Sequence, residues 1–103
     1  MKAGVFVNLY LSDPIEKVWG RLYELSQVGV FIRGIDPKSV EAFRYQFQKE
    51  DKTVFPTTTF WPMHRVLRID LDEALDTVPS VIETIKRTTG LSEDEIIEPP
   101  ICN

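Results

Sequence analysis

Apolar and polar residues alternate from Ala3 to Leu11, with Val5, Val7, Leu9 and Leu11 on one face and Phe6, Asn8, Tyr10 and Ser12 on the other. A period of two marks a half-buried strand. The same period returns from Arg65 to Asp72, where Leu67, Ile69 and Leu71 share one face and Val66, Arg68 and Asp70 the other. Gly29 to Ile35 reads as a further strand, closed by Asp36-Pro37. Thr53 to Phe60, rich in threonine and aromatics, reads as a strand interrupted at Pro56, which implies an edge or a bulge.

The segment from Asp13 to Gly29 supports two readings, and the choice decides the fold. Asp13-Pro14-Ile15-Glu16 has the form of a helix start, and Ile15, Val18, Trp19, Leu22 and Leu25 recur at helical spacing. Taken as a helix over residues 14–28, it predicts an α+β sandwich. The alternative makes Ser12-Asp13-Pro14 a turn and Val18 to Leu25 a strand. Gly20 weighs toward the strand: it costs a helix roughly 1 kcal/mol relative to alanine, and it lets a strand bend sharply.

Helical periodicity appears twice more. Asp36 caps a helix begun by Pro37, with Val40, Phe43 and Phe47 on its apolar face through Gln48. After Glu73, Val78, Val81, Ile82, Ile85 and Thr89 share a helical face, Pro79 falls in the first turn and Gly90 is placed to end it. Ser92-Glu93-Asp94-Glu95 is a capping-box signature for a short helix through Glu98, which Pro99-Pro100 stops.

A chain of 103 residues with 43% hydrophobic content is expected to form one core. No apolar run approaches the roughly 20 residues that cross a bilayer, and no signal-peptide core follows Met1, so a cytoplasmic protein without a membrane partner is expected. The single cysteine, Cys102, allows no internal disulfide. Charge is unevenly spread: residues 1–68 carry 10 Lys/Arg against 7 Asp/Glu, whereas residues 69–103 carry 2 against 9. An acidic tail of this kind keeps a surface soluble, or competes with polyanions for a basic surface near Arg33, Arg65 or Arg68.

Read as strands, residues 1–73 resemble the Sm-like (LSm) family in Val5-x-Val7-x-Leu9, Gly20-x-Leu22, Gly29-Val30-x-Ile32-x-Gly34 and the closing strand His64 to Leu71. The order matches the two halves of the Sm signature: three strands, a variable insertion, then two strands around a short turn. The chain is also similar to a set of small bacterial proteins of unassigned activity that share E-K-x-W-G, G-V-x-x-R-G-x-D and F-x-P-x-H-R-V patterns. The resemblance implies a mainly β fold: a strongly bent five-stranded Sm-like or SH3-like barrel over residues 1–73, a helix inserted near residues 37–48, and a helical acidic extension over residues 74–103. It also implies a homo-oligomer. Members that hold uridine use an Asp and an Asn between the second and third strands and an Arg-Gly or Lys-His pair between the fourth and fifth. Here Ser26-Gln27-Val28-Gly29 supplies neither Asp nor Asn; His64 matches the histidine of the second pair, while Met63 stands in the place of its lysine.

The candidate chemistry is correspondingly narrow. His64, Arg65, Arg68 and Arg33 are the candidates for anion or single-stranded RNA contact, since His and Arg stack on bases and bond their edges and phosphates; DNA is not expected. In the bland alternative, His64 satisfies a turn and Arg65 and Arg68 pair with Asp70 or Asp72. Trp19, Phe60 and Trp61 are candidates for an exposed aromatic patch between subunits, or else for the core. Asp70, Asp72 and Glu73 lack the convergent ligands that a metal site requires, and no nucleophile motif or phosphate loop is present, so neither catalysis nor a cofactor is expected. The reading is a non-enzymatic oligomeric binding or regulatory module with RNA as the named ligand, against a protein-interaction scaffold.

Overall fold

The computed structural model describes residues 1–100, so Cys102 lies outside the described residues. Its strands are β1 (Phe6–Leu11), β2 (Glu16–Leu25), β3 (Gly29–Ile35), β4 (Thr57–Pro62) and β5 (Val66–Leu71). All pair antiparallel in one sheet of order β4-β3-β2-β1-β5. The fold is therefore mainly β, and the sheet is not closed into a barrel: β4 and β5 are its two edges. Helices α1 (Val40–Gln46), α2 (Val81–Thr89) and α3 (Glu93–Ile97) complete it, with one 3₁₀ turn at Pro37–Ser39 leading into α1 and another at Met63–Arg65 joining β4 to β5.

The segment after Pro14 is β2, which overturns the helix over residues 14–28 and with it the sandwich. Tertiary pairing outweighs local spacing here. Gly20 lies directly opposite Gly34, and a Cβ on Gly20 would collide with the Arg33 carbonyl, while one on Gly34 would collide with the Trp19 carbonyl. Two strands approach this closely only where both lack side chains.

The two faces of the sheet bury different sets. Val7, Leu9, Leu11, Leu22, Val30 and Ile32 form a cluster packed by Val5, Val18, Trp61, Val66 and Ile69, every one a residue of the strands or their immediate flanks. A face that buries itself with no helix over it must curl, so this is the concave side. On the convex side, Phe6, Trp19 and Ile35 meet Phe43 of α1, Ile82 and Ile85 of α2, and Ile96 and Ile97 of α3. The C-terminal helices thus share the sheet's core.

Two expected boundaries shift for physical reasons. The fourth strand begins at Thr57, after Pro56, because Pro cannot join the ladder. In β5 the register with β1 slips between Arg68 and Val66, leaving Leu67 as the bulged residue. The bulge returns Val66 and Ile69 to the concave core and turns Leu67 outward at 63% exposure, so Leu67 and Ile69 do not share a face as strict alternation predicts.

The helix ends follow their sequence signals. Asp36 accepts from the Lys38 amide, Gly90 ends α2 at φ 72°, and Ser92 and Glu95 form a reciprocal capping box on α3. The start of α2 falls later than the apolar spacing predicts. Ser80 is its N-cap, and exposed Val78 lies in a tight turn that exchanges hydrogen bonds with Leu75.

Candidate functional site

The turn between the two edge strands carries His64 and Arg65. Pro62 leads into it, and the Met63 amide donates to the Val28 carbonyl at 2.9 Å, anchoring the turn to the residue just before β3. Arg65 points to the β1–β2 turn. Its Nε donates to the Ser12 carbonyl at 2.9 Å, and Nη2 donates to the Pro14 carbonyl at 2.8 Å and to Glu16 Oε2 at 2.7 Å. The Ser12 amide returns a bond to the Arg65 carbonyl at 2.8 Å, and the guanidinium lies 5.2 Å from the Trp61 ring centre. Arg65 is thus a clamp that ties two turns far apart in sequence, with its donors directed at the chain itself.

His64 is exposed on the same turn. Arg68 lies on the convex face of β5, 4.4 Å from the Tyr10 ring centre and 3.3 Å from Asp70 Oδ2, and stays largely in solvent. Lys17 approaches the same ring from β2 at 5.4 Å. Lys17, Tyr10 and Arg68 are register partners across three adjacent strands, which makes a short cationic and aromatic row. Arg33 is not part of it: from the middle of β3 it donates to the Ile97 carbonyl and to Thr58 Oγ1. The four candidate contact residues therefore separate, with His64 and Arg68 open to solvent and Arg65 and Arg33 engaged in the fold.

The aromatic candidates also divide. Trp19 is fully buried, stacked on Phe6 at 5.3 Å, and is a core residue rather than part of an exposed patch. Phe60 is 42% exposed on edge strand β4; its ring lies over Gly29 and tilts against Phe31 at 4.8 Å. Trp61 faces the concave core, and its buried indole N–H has no partner among the described residues.

The densest polar cluster forms around a residue absent from the sequence candidates. Arg21 Nη1 donates to Asp94 Oδ1 at 2.7 Å and to Glu98 Oε1 at 3.1 Å, Nη2 lies 3.5 Å from Glu93 Oε2, and Nε donates to the Gly4 carbonyl at 3.1 Å. Burial lowers the Arg21 pKa, but the hydrogen bonds and charges of Asp94 and Glu98 outweigh it and hold the pKa above the ordinary arginine value. Tyr23 donates its hydroxyl to Glu98 Oε2. Its pKa is raised by burial first and then by that bond and the Glu98 charge, against an opposing pull from Arg33 and Arg21. The one signal of this cluster in the sequence is the acidic run Glu93-Asp94-Glu95, of which Glu93 and Asp94 reach Arg21.

Asp72 likewise has a specific task. Its Oδ1 accepts from the Val81 amide at 2.8 Å, and its Oδ2 accepts from the Ile82 amide at 2.9 Å and from Trp19 Nε1 at 3.0 Å. Among the described residues, no three His, Cys, Asp or Glu side chains come together to hold a metal ion, and no helix is long and apolar enough to cross a membrane.

The chain matches no family profile, no curated protein and no solved structure.

Proposed function

We propose that this chain is a non-enzymatic assembly module, an Sm-like curled sheet that pairs its open edges with those of further copies. The chain order supports the Sm-like reading: three strands, an inserted helix, then two strands around a short turn. So does the close approach of β2 and β3 at Gly20 and Gly34. The observation that carries the proposal is that β4 and β5, each six residues long, are the outermost strands and bear no partner on their outer sides among the described residues.

Antiparallel ladders alternate inward and outward amides. The Asp72 amide donates to Phe6 of β1, so the amides of Leu71 and Ile69 face outward from β5. By the same alternation, set by Met63 donating to Val28, the Thr58 and Phe60 amides face outward from β4. Neither strand carries a lysine, and Leu67, Leu71 and Phe60 expose apolar surface beside these edges. Open edges can template strand addition, and pairing β4 of one copy with β5 of the next is a head-to-tail contact, which forms a ring when the rotation between copies closes.

Light scattering at tens of micromolar tests it. The expected mass is a multiple of 11.9 kDa, reduced toward the single chain by Leu67→Lys with Leu71→Lys. One species at the single-chain mass refutes the proposal.

A second reading, single-stranded RNA as ligand, draws support from exposed His64 and from Arg68 on Tyr10. It requires affinity that falls steeply with salt and weakens on His64→Ala with Arg68→Ala. Absence of binding at about 50 mM salt leaves assembly alone.

A further inference from the structure

A partly open cavity of about 720 Å³ lies on the convex side, between α1, the segment that joins α1 to β4, and α3. That volume falls in the roughly 300–1,000 Å³ range of small-molecule sites. Phe43, Phe47, Val54, Phe55, Leu91 and Ile96 supply its apolar wall. Phe43 and Phe47 meet edge to face at 5.2 Å between ring centres, and Phe55 joins them at 64% exposure. A ring left in solvent at the side of an apolar cavity gains from whatever covers it.

One wall is held in place by a buried polar side chain. Gln46 of α1 donates from Nε2 to the Val54 carbonyl at 2.6 Å, and its Oε1 accepts from the Thr53 and Val54 amides at 3.1 and 3.0 Å. The segment that carries Lys52 and Phe55 is thereby fixed to α1, so a ligand meets a wall that is already formed.

Charge narrows the ligand. The carboxylates on the wall already have donors: Asp94 and Glu98 accept from Arg21, Glu98 also from Tyr23, and Glu95 from the Ser92 amide. The two cations on the wall are less committed. Among the described residues Lys52 has no carboxylate partner, its Nζ lying 5.3 Å from the Phe47 ring centre. Arg33 donates from Nε and Nη1 to the Ile97 carbonyl and Thr58 Oγ1, and its Nη2 has no partner among the described residues. These donors suit one anionic group, while the acidic residues of α3 oppose a second negative charge and so disfavour a polyanion.

We propose that this cavity binds a small aromatic monocarboxylate, its ring against Phe47 and Phe55 and its carboxylate toward Lys52 and Nη2 of Arg33. Aromatic walls favour an aromatic guest, because edge and face contacts between rings add to the area buried. The cavity needs no change in the packing of α3 and no second copy of the chain, so it does not depend on the assembly reading.

The test titrates the full chain with naphthalene-2-carboxylate and follows backbone amide shifts. Saturable shifts are expected at Phe47, Phe55 and Leu91, with half-saturation below about 1 mM. Naphthalene-2-carboxamide keeps the shape without the charge and is expected to bind about tenfold more weakly. Both comparisons use the wild type alone. Lys52→Gln and Phe55→Ala then change exposed side chains that hold no core contact. Lys52→Gln is expected to weaken the carboxylate about threefold and leave the carboxamide unchanged, and Phe55→Ala to weaken both ligands about threefold. Absence of saturation by about 10 mM overturns the proposal, as do shifts that gather away from the cavity. Binding of the carboxamide or of octanoate as tightly as naphthalene-2-carboxylate also overturns it, as does wild-type affinity in either variant.

Discussion

The indole N–H of Trp19 donates to Oδ2 of Asp72 at 3.0 Å, and through that carboxylate the centre of the sheet is joined to the start of α2. Asp72 serves three donors at once. Its negative charge also sits where the helix dipole favours it. Asp72→Ala leaves the Trp19 indole and two helix-end amides without partners, and is expected to cost about 3 kcal/mol in urea unfolding. Asp72→Asn keeps one acceptor oxygen and should fall between that variant and wild type.

Gly20 and Gly34 make the second prediction. A Cβ at either position meets backbone rather than a movable side chain, so the strands must separate to admit it. Gly20→Ala and Gly34→Ala are each expected to lose at least about 2 kcal/mol. The loss in the double variant should be less than the sum of the two, because the first substitution already spreads the strands. Chemical denaturation of the three variants checks this.

Arg65 and Arg68 differ sharply although three residues apart. Arg65 makes three directed hydrogen bonds and is mostly covered, whereas Arg68 holds one exposed pair. Arg65→Ala is expected to destabilise by about 2 kcal/mol, and Arg65→Lys to rescue little, since an ammonium lacks the planar fork. Arg68→Ala should stay within about 0.5 kcal/mol of wild type. Melting of both variants under one condition separates a clamp from a surface cation.

Tyr23 sets an alkaline limit. Its folded-state pKa is raised, so the unfolded chain releases that proton first as pH increases, and the contribution to stability is fully present below the ordinary value of 10.0 and lost as pH climbs through the folded value. Above that range a phenolate would face the Glu98 carboxylate. Urea midpoints of wild type should therefore fall from neutral to strongly alkaline pH more than those of Tyr23→Phe. Equal slopes for the two proteins would contradict the assignment.

The strands β1 and β3, the helix ends at Asp36, Gly90 and Ser92, and the break before Pro99 were legible in the sequence, because each depends on neighbours within a few residues. Alternation, a capping side chain or a glycine free to take positive φ acts locally, whatever the rest of the chain does. The stretch from Asp13 to Val28 was different: its helical spacing and its strand content were both present, and only the meeting of Gly20 with Gly34 across β2 and β3 decided between them. The outward turn of Leu67 required the slip against β1, which no property of Leu67 itself encodes. The same reason separates the polar residues. His64 and Arg68 stood out because they are conspicuous in sequence, while Arg21, Asp72 and the clamp made by Arg65 took their roles from partners about 50 or more residues away along most of their contacts, or, for Asp72 and α2, from a helix placed by the sheet's curl. Hydrogen-bond partners at that separation are chosen by how the sheet coils and which helix falls over which strand, and those are properties of the packed chain.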